Sequence, residues 1–431
     1  MNHLTTRWHK GSWRIFGALL LLMLFSYSAF AQRLLEYRNQ VPVIDYAQPT
    51  NDAVTSLFAE IDAGRLSIEY QGNRGYLDSL LEAFGISPSS QVLVFSKSAL
   101  KGRLISPETP RAIYFNDEVY VAFVAETPEL EIAAMDPLLG PVFYVVPLAP
   151  EADIELTRLE SRCLNCHVKN YMEGGGVPMF SFQSTLVDED GEIYMVRNNE
   201  VQTHISTPFN ERWGGWYVTG LHGEQTHRGN VMYPGPPNRQ RLAMFAEGNL
   251  LSAESLFDSS PYPSTYSDIV ALLVMQHQID VQNEIARVNY QVRTLTAEQG
   301  GLSETQLAEK TEPLLQALFM SGEFALTDPV TGVSGFTEHF QSLGPFDTYG
   351  RSLRDFDLKT RVFKYPLSYQ IYTEAFDALP EPVLDYLGRR ALEILSGEDQ
   401  SAAYAHLSMS DRQAIHAIVE ETKPDFLSHQ Y

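Results

Sequence analysis

The stretch YSDIVALLVMQHQIDVQNEIARVNYQVRTL, residues 266–295, predicts a long helix that organises the C-terminal part of the chain. Its valine, leucine and isoleucine side chains recur at steps of three and four residues, which places them on one apolar stripe. Ser267 or Asp268 stands where the N-cap of this helix is expected. Further segments with the helical period follow it, so we expect residues 261–431 to form a mainly α-helical region.

Upstream of residue 150 the apolar pattern is different. The segments NDAVTSLFAEIDAG and GYLDSLLEAFG predict short helices that end at glycine. Short β-branched and aromatic runs follow between turn signals, and they predict strands: QVLVFS, RAIYF, EVYVAFVAE, ELEIAAMD and PVFYVVP. We therefore predict an α+β fold. N-terminal helices and an antiparallel sheet occupy residues 32–150, an irregular middle spans 151–260, and the C-terminal part is mainly α-helical.

The chain has two cysteines, Cys163 and Cys166, which lie three residues apart in the middle region, and His167 follows directly. This is the C-x-x-C-H pattern of covalent haem attachment. On one and a half turns of helix, the two sulfur atoms lie on nearly the same face and the imidazole lies one turn beyond Cys163. Two thioethers can then hold the porphyrin edge while His167 binds the iron as the proximal ligand. We therefore expect a covalently attached haem c.

Three other uses of the cysteine pair are weaker. A zinc site needs four ligands, and there is no second cysteine pair to supply them. A thioredoxin-like redox pair needs a βαβ context, whereas DIELTRLESRCLNCH predicts a short helix that ends in the motif. A disulfide across so small a loop adds little stability.

The segment CLNCH resembles the haem-attachment motif of the c-type cytochrome superfamily. The wider chain, with RWGGWYVTG, HRGN and LKTRVFKYPLSYQIY, is similar to large secreted single-haem proteins of environmental bacteria. The resemblance implies that Cys163 and Cys166 hold the haem covalently and that His167 is its proximal ligand. The wider likeness implies no particular activity.

Four residues are candidates for the second axial ligand of the iron. Met179 follows the glycines and proline of MEGGGVPMF, and the 12 residues from His167 span up to about 40 Å, enough to round a porphyrin edge. His277 lies on the apolar stripe of the long helix, where a histidine is more often a satisfied core residue than a ligand. His222 and His227 lie in the loop VTGLHGEQTHRGN, where either could bind iron or serve as a distal acid or base. Other ligands, or an open five-coordinate iron, complete the alternatives.

Residues 1–31 predict a cleaved secretory signal peptide. Arg7, Lys10 and Arg14 precede the apolar run IFGALLLLMLFSYSAFA, which ends in an Ala-x-Ala site before Gln32. An uncleaved membrane anchor is the alternative, although the run is short for a bilayer span. Cleavage removes three basic residues and no acidic ones, which lowers the net charge by three, from −23 to −26.

A surface this acidic repels nucleic acid and anionic lipid, and it can attract a basic redox carrier. We therefore expect a periplasmic or secreted protein with a redox partner protein, no nucleic-acid partner and no stable membrane span after signal cleavage. The sequence leaves the oligomeric state open.

Electron transfer by one haem is the function that these features favour. The chain is far larger than the movement of one electron requires, so two alternatives stay open. One is a peroxidase-like single-haem oxidoreductase with an open distal site, for which Arg212, Arg228, His222 and His227 are the candidate residues. The other is a haem-based sensor in which the N-terminal sheet or a partner protein reads the state of the haem.

Overall fold

The computed structural model describes residues 44–149, 154–168, 176–194, 201–235 and 248–428. The chain divides into two compact units, Met1–Gln48 and Pro49–Tyr431. In the first unit the described residues 44–48 form a turn, in which the Gln48 amide donates to the Asp45 carbonyl oxygen at 3.0 Å. The predicted signal peptide lies outside the described residues. All elements below belong to the second unit.

An antiparallel sheet is the centre of the N-terminal part. Five of its strands form a meander and confirm the five predicted runs: β1 (Val92–Val94), β2 (Arg111–Phe115), β3 (Val119–Phe123), β4 (Glu129–Asp136) and β5 (Gly140–Pro147). The middle region adds β6 (Thr157–Arg158), β7 (Gln183–Ser184), β8 (Val201–Gln202) and β9 (Trp216–Tyr217). Because β6 pairs with β5 and β9 pairs with β1, the described sheet has seven strands in the order β6-β5-β4-β3-β2-β1-β9. Strands β7 and β8 pair separately.

The predicted N-terminal helices are confirmed as α1 (Ala53–Asp62) and α2 (Leu77–Ala83). Helix α1 packs against β4. The Tyr144 hydroxyl of β5 donates to the carboxylate of Asp52 at 2.5 Å, and Asp52 caps the first turn of α1. The face of the sheet that carries Tyr144 is therefore called the α1 face.

The C-terminal part is mainly helical, as predicted. The helices that follow the meander are α3 (Ser161–His167), α4 (Ile269–Gln299), α5 (Glu304–Leu318), α6 (Phe336–Ser342), α7 (Glu374–Asp377), α8 (Glu381–Ser396), α9 (Met409–Thr422) and α10 (Pro424–Ser428). Together with the antiparallel sheet they confirm the α+β class. In the part of the chain that the structure describes, no helix is both long and apolar enough to cross a membrane.

Helix α4 is the long helix predicted from its apolar stripe, and it has 31 residues. It begins after Asp268, whose buried carboxylate accepts hydrogen bonds from the amides of Val270 and Ala271. The same carboxylate accepts from the amides of Val333 and Ser334, at 2.7 and 2.9 Å. One side chain thus caps the helix and fastens a loop that is distant in sequence.

Polar side chains of α4 hold the loops at one end of the sheet. The Gln282 amide donates to the carbonyl oxygen of Asp117 at 2.7 Å, and its oxygen accepts from the Tyr120 hydroxyl at 2.7 Å. Further along the helix, the Asn289 amide donates to the carbonyl oxygen of Leu138 at 3.2 Å. The face of the sheet that carries Tyr120 is called the α4 face.

The structure corrects one prediction, the continuous helix before the cysteine motif. Thr157–Arg158 is extended and pairs with β5, with Thr157 opposite Val145, and the helix begins only at Ser161. The physical reason is that the edge of β5 carries backbone groups that need partners, and the following segment supplies them. This long-range pairing overrides the helical spacing of the local sequence.

Candidate functional site

Helix α3 carries the cysteine motif. Leu164 is buried and anchors the helix, whereas Cys163 is half-buried and Cys166 is exposed. Both are free thiols and are not joined in a disulfide. The helix ends at His167, and the next residue, Val168, is extended and forms a bridge with Pro178. This bridge places the segment that begins at Pro178 beside the end of the motif helix.

The imidazole of His167 is fixed by two contacts. Its Nδ1 lies 2.9 Å from the carbonyl oxygen of Met179, and the Met179 amide donates to the His167 carbonyl oxygen at 2.8 Å. Because a carbonyl oxygen only accepts, Nδ1 is assigned the proton and Nε2 carries the lone pair. The ring also packs on Phe143, with centroids 4.5 Å apart. An iron-binding histidine has this arrangement, in which the second nitrogen donates to a backbone carbonyl and thereby orients the first.

Helix α4 fixes the segment that holds His167. The side-chain oxygen of Asn283 accepts from the Phe180 amide at 2.8 Å, and its nitrogen donates to the Phe180 carbonyl oxygen at 3.0 Å. The Phe180 ring contacts Tyr120 and Phe143 at centroid distances of 4.9 and 6.2 Å. Since Phe180 follows Met179, these contacts position the carbonyl group that orients the imidazole.

Asn283 belongs to a polar row on α4 that binds the middle region. Asp280 accepts from the Ile205 amide at 2.7 Å and lies 3.0 Å from Nδ1 of His204. Gln276 donates to the His204 carbonyl oxygen at 2.8 Å. These three residues recur at steps of four and three, so they lie on one side of the helix. The row attaches the irregular middle region to the most regular element of the fold.

The environment of Cys163 disfavours a redox thiol. Burial raises the pKa of Cys163 to about 11, and the nearby Glu131 carboxylate adds to the shift. A thiol with this pKa stays protonated at neutral pH and is a poor nucleophile, unlike the activated cysteines of disulfide oxidoreductases. Glu131 in turn pairs with Arg111 at 3.3 Å.

His277 is a satisfied core residue in this structure. It is buried, its Nε2 lies 2.8 Å from the Ser368 hydroxyl oxygen, and its ring contacts Phe363 at 5.1 Å. Burial lowers the pKa of His277 to about 3, so the ring is neutral. Its partners belong to the C-terminal segment, and they differ from Phe143 and Met179, which hold His167.

His222 and His227 lie together in a separate buried cluster. Their ring centroids are 4.7 Å apart, and Phe209 and Trp213 pack around them. His222 Nδ1 lies 2.6 Å from the Gln225 carbonyl oxygen, whereas His227 Nδ1 is buried without a hydrogen-bond partner. Burial, and then the neighbouring His222, lower the pKa of His227 to about 3. The two predicted candidates are therefore neighbours of each other, and the ring of His227 is neutral.

Met179 lies on the proximal side of the motif, because its backbone is bonded to His167 at both the amide and the carbonyl group. If His167 held a haem iron, a second protein ligand would have to come from a residue that does not itself hold this imidazole. This placement argues against Met179 as that ligand.

Of the two arginines that a peroxidase-like site would use, Arg212 has structural partners, whereas Nε of Arg228 is buried without a hydrogen-bond partner. The guanidinium of Arg212 donates to the carbonyl oxygens of Thr207 and Ile205 and to the side chain of Gln276. Arg212 is buried, and its pKa is lowered by that burial to about 10. Arg228 is half-buried and its amide donates to the Arg212 carbonyl oxygen. Arg212 thus joins the middle region to α4.

Sequence reasoning did not find Phe143, Phe180 and Asn283, which position His167. A signal for Asn283 exists, because Gln276, Asp280 and Asn283 follow the helical period on a side of α4 separate from the apolar stripe. No comparable signal marks Phe143 or Phe180.

Comparison with known proteins gives no match to a family model, to a curated protein or to a solved structure. Within the described ranges, no three side chains of histidine, cysteine, aspartate or glutamate form a group that could hold a metal ion. A haem requires less of the protein: two thiols for its edge and one oriented imidazole for its iron. Cys163, Cys166 and His167 fit that requirement.

Proposed function

We propose that this protein is an exported single-haem c-type cytochrome that transfers electrons. Cys163 and Cys166 hold the haem covalently, and His167 is the proximal ligand of the iron. The observation that carries the proposal is the hydrogen bond from His167 Nδ1 to the Met179 carbonyl oxygen, because a backbone carbonyl that accepts from one ring nitrogen orients the imidazole in the way seen for metal-binding histidines. The exposed position of Cys166 and the half-buried position of Cys163 suit attachment of a large planar group.

The haem supplies a one-electron couple at its iron, and the protein sets the properties of that couple. The Nδ1 bond raises the basicity of the His167 imidazole, which favours the ferric state. Asn283 of α4 holds the backbone of Phe180, and this contact keeps the imidazole of His167 in one orientation. A rigid ligand suits electron transfer, since the site then changes little between its two redox states.

A haem oxidoreductase with an open distal side is the second candidate. Two observations favour it: Met179 lies on the proximal side, and His277 is engaged by Ser368. The ferric spectrum distinguishes the candidates. A low-spin spectrum supports electron transfer, and a high-spin spectrum that shifts with small added ligands supports the oxidoreductase.

The proposal extends to the compartment and the partner. The predicted signal peptide directs export. The haem motif requires export, because the haem is attached covalently after translocation. The net charge of the mature chain, −26 after removal of three basic residues from −23, favours a basic redox partner. Reduction by such a partner is expected to slow as ionic strength rises.

The deciding experiment is expression of the full chain with and without a c-type haem maturation system. With maturation, the purified protein should exceed its polypeptide mass by one haem and keep its colour after denaturation. Cys163→Ala should lose covalent attachment of the haem, and His167→Ala should lose the normal haem spectrum. Asn165→Ala, an exposed residue between the cysteines, is the matched control and should keep both. A colourless protein of unmodified mass contradicts the proposal.

A further inference from the structure

We propose that His204 is the second axial ligand of the haem iron and that Asp280 orients its imidazole. This inference rests on the proposed function and deepens it, because it names the residue that completes the coordination of the iron. Sequence spacing did not identify His204 as a candidate. Three features of the structure support it: the contact with Asp280, the exposure of the ring, and a connection to the frame that holds His167.

The Asp280 carboxylate fixes the imidazole of His204. One carboxylate oxygen lies 3.0 Å from Nδ1 of the ring, and the other accepts from the Ile205 amide at 2.7 Å. Because both oxygens are used, the carboxylate and the ring are held in one arrangement. A metal-binding histidine commonly has such a partner, in which a carboxylate accepts from one ring nitrogen and orients the other. Nε2 is then the nitrogen that would bind iron.

The ring of His204 is far more exposed than the other candidate imidazoles. Its side chain is 57% exposed, whereas the side chain of Asp280 is only 10% exposed. The histidines that the sequence suggested are each at most 3% exposed: His222, His227 and His277. Since the cysteines that would carry the haem are half-buried and exposed, an accessible imidazole suits the same ligand better than a core imidazole does.

One short segment, residues 178–184, contacts both the haem motif and the strand before His204. At its start, the Met179 amide donates to the His167 carbonyl oxygen at 2.8 Å. At its end the segment forms β7, which pairs with β8. His204 follows β8 by two residues, so both histidines are next to this segment.

The antiparallel register continues beyond β7 and β8. The Thr203 amide donates to the Phe182 carbonyl oxygen at 2.9 Å, which places His204 opposite Ser181. Phe182 and Thr203 are buried, whereas Ser181 and His204 are exposed. His204 therefore stands on the outer face of this pair. Its partner Ser181 is only two residues beyond Met179, whose backbone holds His167.

Helix α4 fixes the two histidines from neighbouring positions. Asp280 holds His204 directly. Asn283 holds the backbone of Phe180, next to the residue that bonds His167. Asp280 and Asn283 are three residues apart, which is about 4.5 Å along the helix axis. One regular element thus positions both imidazoles, which suits two ligands of a single iron.

The test compares ferric spectra of the full chain loaded with haem. The wild type should be low-spin. His204→Ala should become high-spin, and added imidazole should restore the low-spin spectrum by binding in place of the lost side chain. His416→Ala is the matched control, because the His416 side chain is 41% exposed and lies 3.8 Å from the Glu420 carboxylate on the distant segment α9. This variant should stay low-spin.

Two further variants keep the test decisive if the alanine variant folds poorly. His204→Met should stay six-coordinate, show a sulfur-to-iron charge-transfer band and have a higher reduction potential. Asp280→Asn should stay low-spin and also have a higher potential, because a neutral amide makes the imidazole less basic than a carboxylate does.

Two results overturn this ligation and leave the covalent haem attachment intact. One is a high-spin ferric spectrum of the wild type. The other is a low-spin His204→Ala variant with the wild-type potential and a lower urea midpoint, which would show that the pair with Asp280 only ties β8 to α4. A protein that takes up no haem overturns the proposed function itself.

Discussion

Replacement of Asn283 by alanine should make the position of the haem ligand His167 less rigid, because Asn283 acts on it through Phe180 and Met179. Asn283 makes two hydrogen bonds, of 2.8 and 3.0 Å, to the backbone of Phe180, which is 5% exposed. An unpaired buried backbone group costs about 1–3 kcal/mol, so the loss of partners for both groups should cost about 2–6 kcal/mol of stability. The better helix propensity of alanine returns only about 0.7 kcal/mol or less of this.

The same substitution should raise the reduction potential. When Phe180 is released, the Met179 carbonyl oxygen loses its fixed position, and its bond with His167 Nδ1 weakens. A less basic imidazole stabilises the ferric state less, so the potential moves in the positive direction. A tenfold change in the relative stability of the two redox states corresponds to about 59 mV for one electron. We therefore expect a shift of tens of millivolts.

The assay is redox titration of the haem together with urea unfolding, and Asn289→Ala is the matched control. Asn289 lies on the same helix and donates to the carbonyl oxygens of Pro137 and Leu138 at 3.3 and 3.2 Å. Neither of these hydrogen bonds involves Phe180, so the loss of Asn289 should lower stability and leave the potential unchanged. The reasoning fails if both variants shift the potential equally, or if Asn283→Ala changes neither quantity.

Three further predictions follow from the same contacts. His277→Gln should make the acid dependence of stability less steep. Burial places the folded pKa of His277 near 3, below the unfolded value of about 6.5, so this histidine alone lowers wild-type stability by about 1.4 kcal/mol per pH unit as the pH falls from 6 to 4. Urea midpoints that fall in parallel for the two proteins would contradict this. Met179→Leu should leave the ferric spectrum and the potential nearly unchanged, since the Met179 backbone holds His167; loss of a sulfur-to-iron charge-transfer band would instead show that the thioether binds. Asp268→Ala should lower the free energy of unfolding by about 3 kcal/mol or more, because four backbone amides lose their acceptor; a change below 1 kcal/mol in urea titrations would refute this role.

Much of the fold could be predicted from local patterns. The strands β1–β5 have β-branched and aromatic runs between turn signals, and α4 has an apolar stripe, so each element is encoded within its own segment. Strand β6 was missed because Thr157–Arg158 takes its structure from the edge of β5. Pairing of this kind depends on a partner that is not adjacent in sequence, and no local period reveals it.

In the candidate site, too, some features are encoded in the local sequence and others depend on the tertiary structure. The spacing of Cys163, Cys166 and His167 by itself predicts haem attachment, because thioether chemistry and axial ligation need those side chains on one short helix. That prediction awaits its test. The choice among the distal candidates could not be made from spacing, because every histidine in an apolar context looks alike in sequence.

What the sequence determined by itself is therefore the set of reactive groups and the elements that carry them. Only the tertiary structure decided how those groups are held: His167 by the Met179 carbonyl oxygen, Met179 through Phe180 by Asn283, and His277 by Ser368. The physical reason is that a side chain's chemistry is local, whereas the direction of its hydrogen bonds is set by segments that meet only when the chain folds.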